Sequence, residues 1–192
     1  NAGLTTTSVG STVTLNGTIA TSDDAVVLGA VTLASATTID TNSTTTNRAD
    51  ITIAAITGGS NTLTLTTENN VTGSDVTASG NISGVTTLTL ASVGGTATLS
   101  ADVDVTTLTV GNTVLNVAFT GNGSSVASAI SFANDGTLTL GASSGTQTYG
   151  GGLTTTSVGG TVTLNGTIAT SNDAVVLGAV TLGNTTTIDT NA

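Results

Sequence analysis

The sequence predicts an all-β chain wound as a parallel β-helix, or solenoid, and three observations predict it. The composition forms strands and not helices. A long tandem repeat runs through the chain. A short apolar–polar alternation recurs inside that repeat.

Composition sets the first limit. Hydrophobic residues make up 37% of the chain, nearly all of them Val, Leu, Ile and Ala. Only Phe119, Phe132 and Tyr149 are aromatic. A compact globule of this length ordinarily fills a wide core with large rings. Three rings imply a thin aliphatic interior, which a narrow solenoid supplies. Roughly a quarter of the residues are Thr. Thr and Val are stiff at χ1 and fit a pleated surface. Helix formers are scarce: one Glu (Glu68), one Arg (Arg48), one Gln (Gln147) and no Met. No stretch carries apolar residues at helical spacing over three turns, so essentially no helix is expected. Disorder is not expected either, because charged residues are only 6% and apolar residues alternate with polar ones.

The long repeat is read directly. Residues 3–42 match residues 152–191 at 35 of 40 positions, an offset of 149. The exchanges are Ser11 for Gly160, Asp23 for Asn172, Ala34 for Gly183, Ser35 for Asn184 and Ala36 for Thr185, all small or polar. The chain therefore holds one full unit and the start of the next. Residues 1–192 are expected to form a single continuous solenoid segment, cut from the interior of a longer tandem array.

Within the unit, strand cores occur at Val13/Leu15, Val31/Leu33, Ile51/Ile53, Leu63/Leu65, Leu88/Leu90, Leu108/Val110, Leu138/Leu140, Val162/Leu164 and Val180/Leu182. Thr stands between the two apolar residues in each of them. Period two puts the aliphatics on one face and Thr on the other. Asn16-Gly17, Gly58-Gly59, Gly94-Gly95, Gly111-Asn112, Gly121-Asn122-Gly123, Gly150-Gly151-Gly152 and Asn165-Gly166 read as corners, because Gly and Asn tolerate positive φ. Coils of about 20 residues with two or three strands each, about seven to a unit, follow from this spacing. The alternative is a string of tandem antiparallel β-sandwiches, since Asn-Gly pairs also favour hairpins.

The functional reading begins with missing chemistry. The chain has no His, no Cys and a single cation, Arg48. This removes Ser-His-Asp and Cys-His activation and the usual N/S zinc sites. Arg48 sits in a Thr-Asn-Arg-Ala-Asp turn and reads as solvated. The net charge of −10 argues against nucleic acid and anionic membrane partners. No apolar run reaches spanning length, so membrane insertion of this segment is not expected. Asp23-Asp24 and Asp102-Val103-Asp104 are the tightest carboxylate groups. The second pair falls on one strand face and meets the spacing of a glycosidase pair, but no aromatic platform accompanies it. Both read as acidic surface. Calcium is kept as a secondary option through Gly121-Asn122-Gly123 and Asn134-Asp135-Gly136, which lack the six to eight oxygens of a full site. Asn-x-Ser/Thr triplets at Asn16, Asn42, Asn70, Asn81, Asn122, Asn165 and Asn184 permit glycosylation without arguing for it. No catalytic, cofactor-binding or metal-binding residue is assigned, and the chain is not expected to be an enzyme.

Stretches such as GTVTLNGTI (160–168), TTLTLASVGGTATLSADVDVTTLTVGN (86–112) and AVVLGAVTL (25–33 and 174–182) resemble the repeats of giant bacterial surface proteins. These are the filamentous-haemagglutinin-like adhesins and autotransporter passenger domains. The resemblance is one of texture over most of the chain. It implies a right-handed β-helix, an extracellular or cell-surface location, and a structural role in attachment, matrix or filaments. The partners expected are neighbouring repeats, further copies of the fibre, cell-surface glycans and other cells. Two other functions are weighed. One is an ice-binding Thr ladder, with candidates Thr5–Thr7, Thr12/Thr14, Thr44–Thr46 and Thr185–Thr187. The other is a carbohydrate-active solenoid enzyme working through Asp102 and Asp104.

Overall fold

The computed structural model describes residues 3–41, 49–68 and 73–192. Among them there are sixteen strands and no helix. The first eight are β1 (Leu4–Thr5), β2 (Val13–Ala20), β3 (Val26–Asp40), β4 (Ile51–Thr57), β5 (Thr62–Glu68), β6 (Val76–Ala78), β7 (Ile82–Leu99) and β8 (Val103–Phe119). The rest are β9 (Ser125–Val126), β10 (Ile130–Ser131), β11 (Leu138–Leu140), β12 (Thr146–Tyr149), β13 (Leu153–Thr154), β14 (Val162–Ala169), β15 (Val175–Val176) and β16 (Val180–Asp189). Every ladder between these strands is parallel, from β1–β3 at one end to β14–β16 at the other. The chain is therefore a parallel β-solenoid, and the tandem antiparallel sandwich is excluded.

Each turn carries three strand positions, called faces I, II and III in chain order. Face I stacks Leu4, Val26, Ile51, Val76, Ala97, Val117, Leu138, Val162 and Val180 in one inward column. Face II stacks Val13, Val31, Ile56, Ile82 and Val103 inward, and ends in Gln147, Ile168 and Ile188. Face III stacks Ile19, Ile39, Leu65, Leu90 and Val110. Further along it stacks Ile130, Leu153 and Val175. Thr flanks most of these aliphatics and turns outward, because side chains alternate along a strand. The interior is a single aliphatic column of buried residues. Each fully buried Leu, Ile or Val contributes about 1.5–3 kcal/mol, and adjacent coils supply most of the cover.

Coil length varies. Partners on adjacent coils lie 18 residues apart at Val13 and Val31, and 26 apart at Ile56 and Ile82. Corners absorb the difference. Asn16-Gly17 and Asn165-Gly166 do not separate strands as expected but lie inside β2 and β14. There the register shifts by two residues and Gly17 and Gly166 take φ of 68° and 64°. A left-handed glycine re-aims the strand from one face to the next without ending it.

The two copies of the long repeat do not occupy equivalent faces. Leu4 opens face I, whereas its copy Leu153 lies on face III. Val13 lies on face II and its copy Val162 on face I. Ile19 lies on face III and its copy Ile168 on face II. Val162 is the eighth member of the face I column, seven turns beyond Leu4, and Val13 lies a third of a turn beyond Leu4. The 149-residue unit therefore makes six and two-thirds turns, with a mean of about 22 residues per turn. This agrees with the expected coils of about 20 residues, about seven to a unit, and adds that the unit does not close on a whole number of turns.

Candidate functional site

The surface is built from outward rows that the register fixes. Face I presents Thr5, Val27, Thr52, Thr77, Thr98, Ala118, Thr139, Thr163 and Thr181. Face II presents Thr14, Thr32, Thr57, Ser83, Asp104, Ser125 and Thr148. Face III carries a double row over three coils: Thr62/Thr64, Thr87/Thr89 and Thr107/Thr109. Elsewhere each strand contributes mainly one outward hydroxyl.

Sequence candidates for a Thr ladder are dispersed by this register. Thr5 lies on face I, Thr14 on face II, and Thr186 and Thr187 on the last stretch of face II. Thr44–Thr46 lie outside the described residues. The double row on face III was visible in sequence only as Thr-Leu-Thr-Leu at 62–65 and 87–90. The same tetrapeptide at 137–140 goes to face I instead. Local sequence does not say which face a strand joins.

Three carboxylates, Asp50, Asp75 and Asp102, tie one coil to the next. Asp50 Oδ1 accepts the Asp75 backbone N–H at 2.9 Å. Asp75 Oδ1 accepts that of Thr96 at 2.7 Å, and Asp102 Oδ1 accepts that of Gly123 at 2.7 Å. Charged acceptors make the stronger class of hydrogen bond. Asp102 thus sits at a corner, while Asp104 stands exposed on the outward row of face II. Asn116 Oδ1 repeats the same contact to Thr137 N–H at 2.9 Å. The turn pieces considered for calcium take part in this stapling: Gly123 donates to Asp102, and Asn134 Nδ2 donates to the carbonyls of Leu115, Gly136 and Thr137.

Asp23 and its copy Asn172 occupy one conformation, with φ of 63° and 65°. Asp and Asn are the side chains that best tolerate this left-handed geometry. The exchange preserves the corner and drops the charge, as expected of a turn position. Arg48 lies outside the described residues, as do Asn42 and Asn70. Asn16, Asn81, Asn122 and Asn184 are exposed, whereas Asn165 is buried and its Oδ1 accepts a hydrogen bond from Asn184 Nδ2 at 3.0 Å.

Inside, one polar cluster interrupts the aliphatic column. Gln147 Nε2 donates to the carbonyls of Phe119 and Gly121 at 2.9 and 3.0 Å, and the Tyr149 hydroxyl donates to Gln147 Oε1 at 2.9 Å. The rings of Phe119 and Tyr149 meet edge to face at 6.3 Å. Burial pushes the Tyr149 phenol above its usual range. The cluster is sealed from solvent and reads as a core lock.

The surface also holds a shallow groove of about 280 Å³ across adjoining coils, edged by Ser60, Thr86, Asp104, Thr106 and Ser125. It offers hydroxyls and one carboxylate. A glycosidase needs two carboxyls across the sugar, and this groove brings in only Asp104 among the described residues. Compared with protein-family models, curated proteins and solved structures, the chain matches none.

Proposed function

We propose that this chain is a structural segment of a long extracellular fibre or adhesin, working in surface attachment, matrix or filament formation and not as an enzyme. One observation carries the reading: the join between successive units has no seam. Val162, Thr163 and Leu164 of the second unit stack on Leu138, Thr139 and Leu140 of the first in unbroken register. Tandem units thus extend one rod and do not form separate beads. Backbone hydrogen bonds between coils run along the direction of growth and resist stretching together. A single cation leaves little for trypsin-like proteases. The texture of the repeats, which resembles that of bacterial surface adhesins, agrees.

Immunogold labelling tests this reading. An antiserum raised against the 192-residue chain is expected to decorate long thin filaments on intact, unpermeabilised cells that make the protein. Label seen only after permeabilisation would overturn it.

The double Thr row on face III supports a second reading, ice binding. Paired hydroxyl rows on a flat solenoid face can order water in a fixed array. Thermal hysteresis and faceted ice growth are the expected signs, and their absence in concentrated protein removes the idea.

A further inference from the structure

We infer that Asn122 is a modification site, at which the Gly123 nitrogen attacks the Asn122 side chain and expels its ammonia, and that the Asp102 carboxylate of the preceding coil restrains that reaction. The inference goes beyond the structural-fibre reading and does not depend on it.

An Asn-Gly pair is where this cyclisation meets least hindrance, because Gly has no Cβ to screen its nitrogen. The chain has such pairs at 16–17, 122–123 and 165–166. Asn165 is buried and held at both ends of its amide. Its Oδ1 accepts Asn184 Nδ2 at 3.0 Å, and its Nδ2 faces the Leu140 and Gly141 carbonyls. Asn16 is the repeat copy of Asn165. Asn122 differs from both. It stands exposed at an interior corner, between the coil that carries Asp102 and the coil that carries Thr146.

In the reaction the Gly123 N–H gives its proton to hydroxide. The amide anion attacks Asn122 Cγ and closes a cyclic imide. The bond from Cγ to Nδ2 breaks, and Nδ2 takes a proton from water and leaves as ammonia. Water then opens the imide at either carbonyl, leaving Asp or its β-linked isomer at position 122.

The reacting species is thus an anion, and a carboxylate already sits beside it. Asp102 Oδ1 accepts the Gly123 N–H at 2.7 Å. Its Oδ2 lies 3.0 Å from where a Cβ on Gly123 would stand, so both oxygens lodge against this residue. When the proton leaves, a charge-assisted hydrogen bond is lost. A second negative charge also forms next to the first, which like-charge repulsion opposes.

The corner so protected carries contacts to both neighbouring coils. The Asn122 carbonyl accepts the Thr146 N–H at 2.7 Å, the Gly121 carbonyl accepts Gln147 Nε2 at 3.0 Å, and Ser124 Oγ accepts the Val103 N–H at 3.1 Å. The β-linked product lengthens the main chain by one carbon between these contacts. Gly145 leaves no slack for it, since a Cβ there would meet the Asn122 carbonyl oxygen at 2.3 Å.

Site-resolved mass spectrometry tests the inference. The folded 192-residue chain and its variants Asp102→Asn, Asp102→Ala and Asp104→Asn are incubated in mildly alkaline buffer, and the peptide spanning Asn122 is followed for ammonia loss and for the isomeric product. Asp102→Asn keeps an acceptor oxygen and removes the charge, so it reads the charge apart from the staple. A neighbouring like charge shifts an ionisation by about one unit or more, so Asn122 is expected to react about tenfold or more faster in Asp102→Asn than in the parent. Asp102→Ala is expected to be at least as fast. Asp104→Asn removes a carboxylate of the same strand that does not touch Gly123, and is expected to leave the rate unchanged. Circular dichroism checks that each remains folded; Asp102→Ser replaces any Asp102 variant that does not. An Asn122 that reacts no faster in Asp102→Asn than in the parent overturns the inference. So does an equal acceleration by Asp104→Asn, or an Asn122 that stays intact in every chain.

Discussion

Gln147 shows how much one side chain can hold in a narrow interior. Its amide satisfies two backbone carbonyls and receives the Tyr149 hydroxyl, all away from water. Leaving buried polar groups unpaired costs about 1–3 kcal/mol each, so Gln147→Ala is expected to lower the denaturation midpoint clearly, while Tyr149→Phe, which strands only Oε1, costs less. Urea titration followed by circular dichroism measures both. Tyr149 also predicts a pH response. Its phenol is raised by burial in the folded state, and the unfolded phenol ionises near pH 10. The folded state then holds the proton more tightly than the unfolded chain. Stability is complete below that pH and falls as pH rises above it. The alkaline loss should be smaller in Tyr149→Phe than in the parent, and equal losses would refute the assignment. In sequence Tyr149 was legible as a rare aromatic. Its partnership with Gln147 was not, because nothing local aims those side chains inward at Phe119 and Gly121.

At the scale of elements, alternation of Thr with aliphatics made most strands legible. Val13/Leu15, Val31/Leu33 and Leu88/Leu90 all lie in strands with the apolar residues inward or largely so. The irregular spacings have a simple origin. Ile51/Ile53 and Leu63/Leu65 belong to two faces of one coil, so their separation is not a coil length. Between residues 110 and 138 the buried hydrophobic residues are Val114, Val117, Phe119, Val126, Ile130 and Phe132, which do not follow the Val-Thr-Leu pattern. Corners also decide what fits. A methyl on Gly58 would stand 2.4 Å from the Gly84 carbonyl oxygen of the next coil, and Asn61 Nδ2 ties the same corner to the Leu33 carbonyl of the coil before at 2.9 Å. Gly58→Ala is expected to cost about 1–3 kcal/mol, as overpacking does. Amide exchange should rise first at Ile56 and Gly58, whose N–H groups bond to Asn81 and Ser83. Unchanged exchange there would show that the corner yields freely.

For the whole molecule, the offset between copies was hidden from sequence, because period two reports which way a side chain faces and not how far the backbone has turned. Pyrene pairs read it directly. Labels at Thr139→Cys and Thr163→Cys lie on neighbouring strands of face I, about 4.8 Å apart, and are expected to give strong excimer emission. Labels at Thr148→Cys and Thr163→Cys lie on different faces and should give little. The reverse result would put the two copies in phase. The fractional winding has a mechanical corollary. Any mark borne once per unit circles the rod like the stripe on a barber's pole, and it returns above itself only after three units, 447 residues and twenty turns, about 96 Å at ordinary strand spacing. An array of such units would have no front or back: neighbours approaching any of its three faces would meet the same chemistry at a different height.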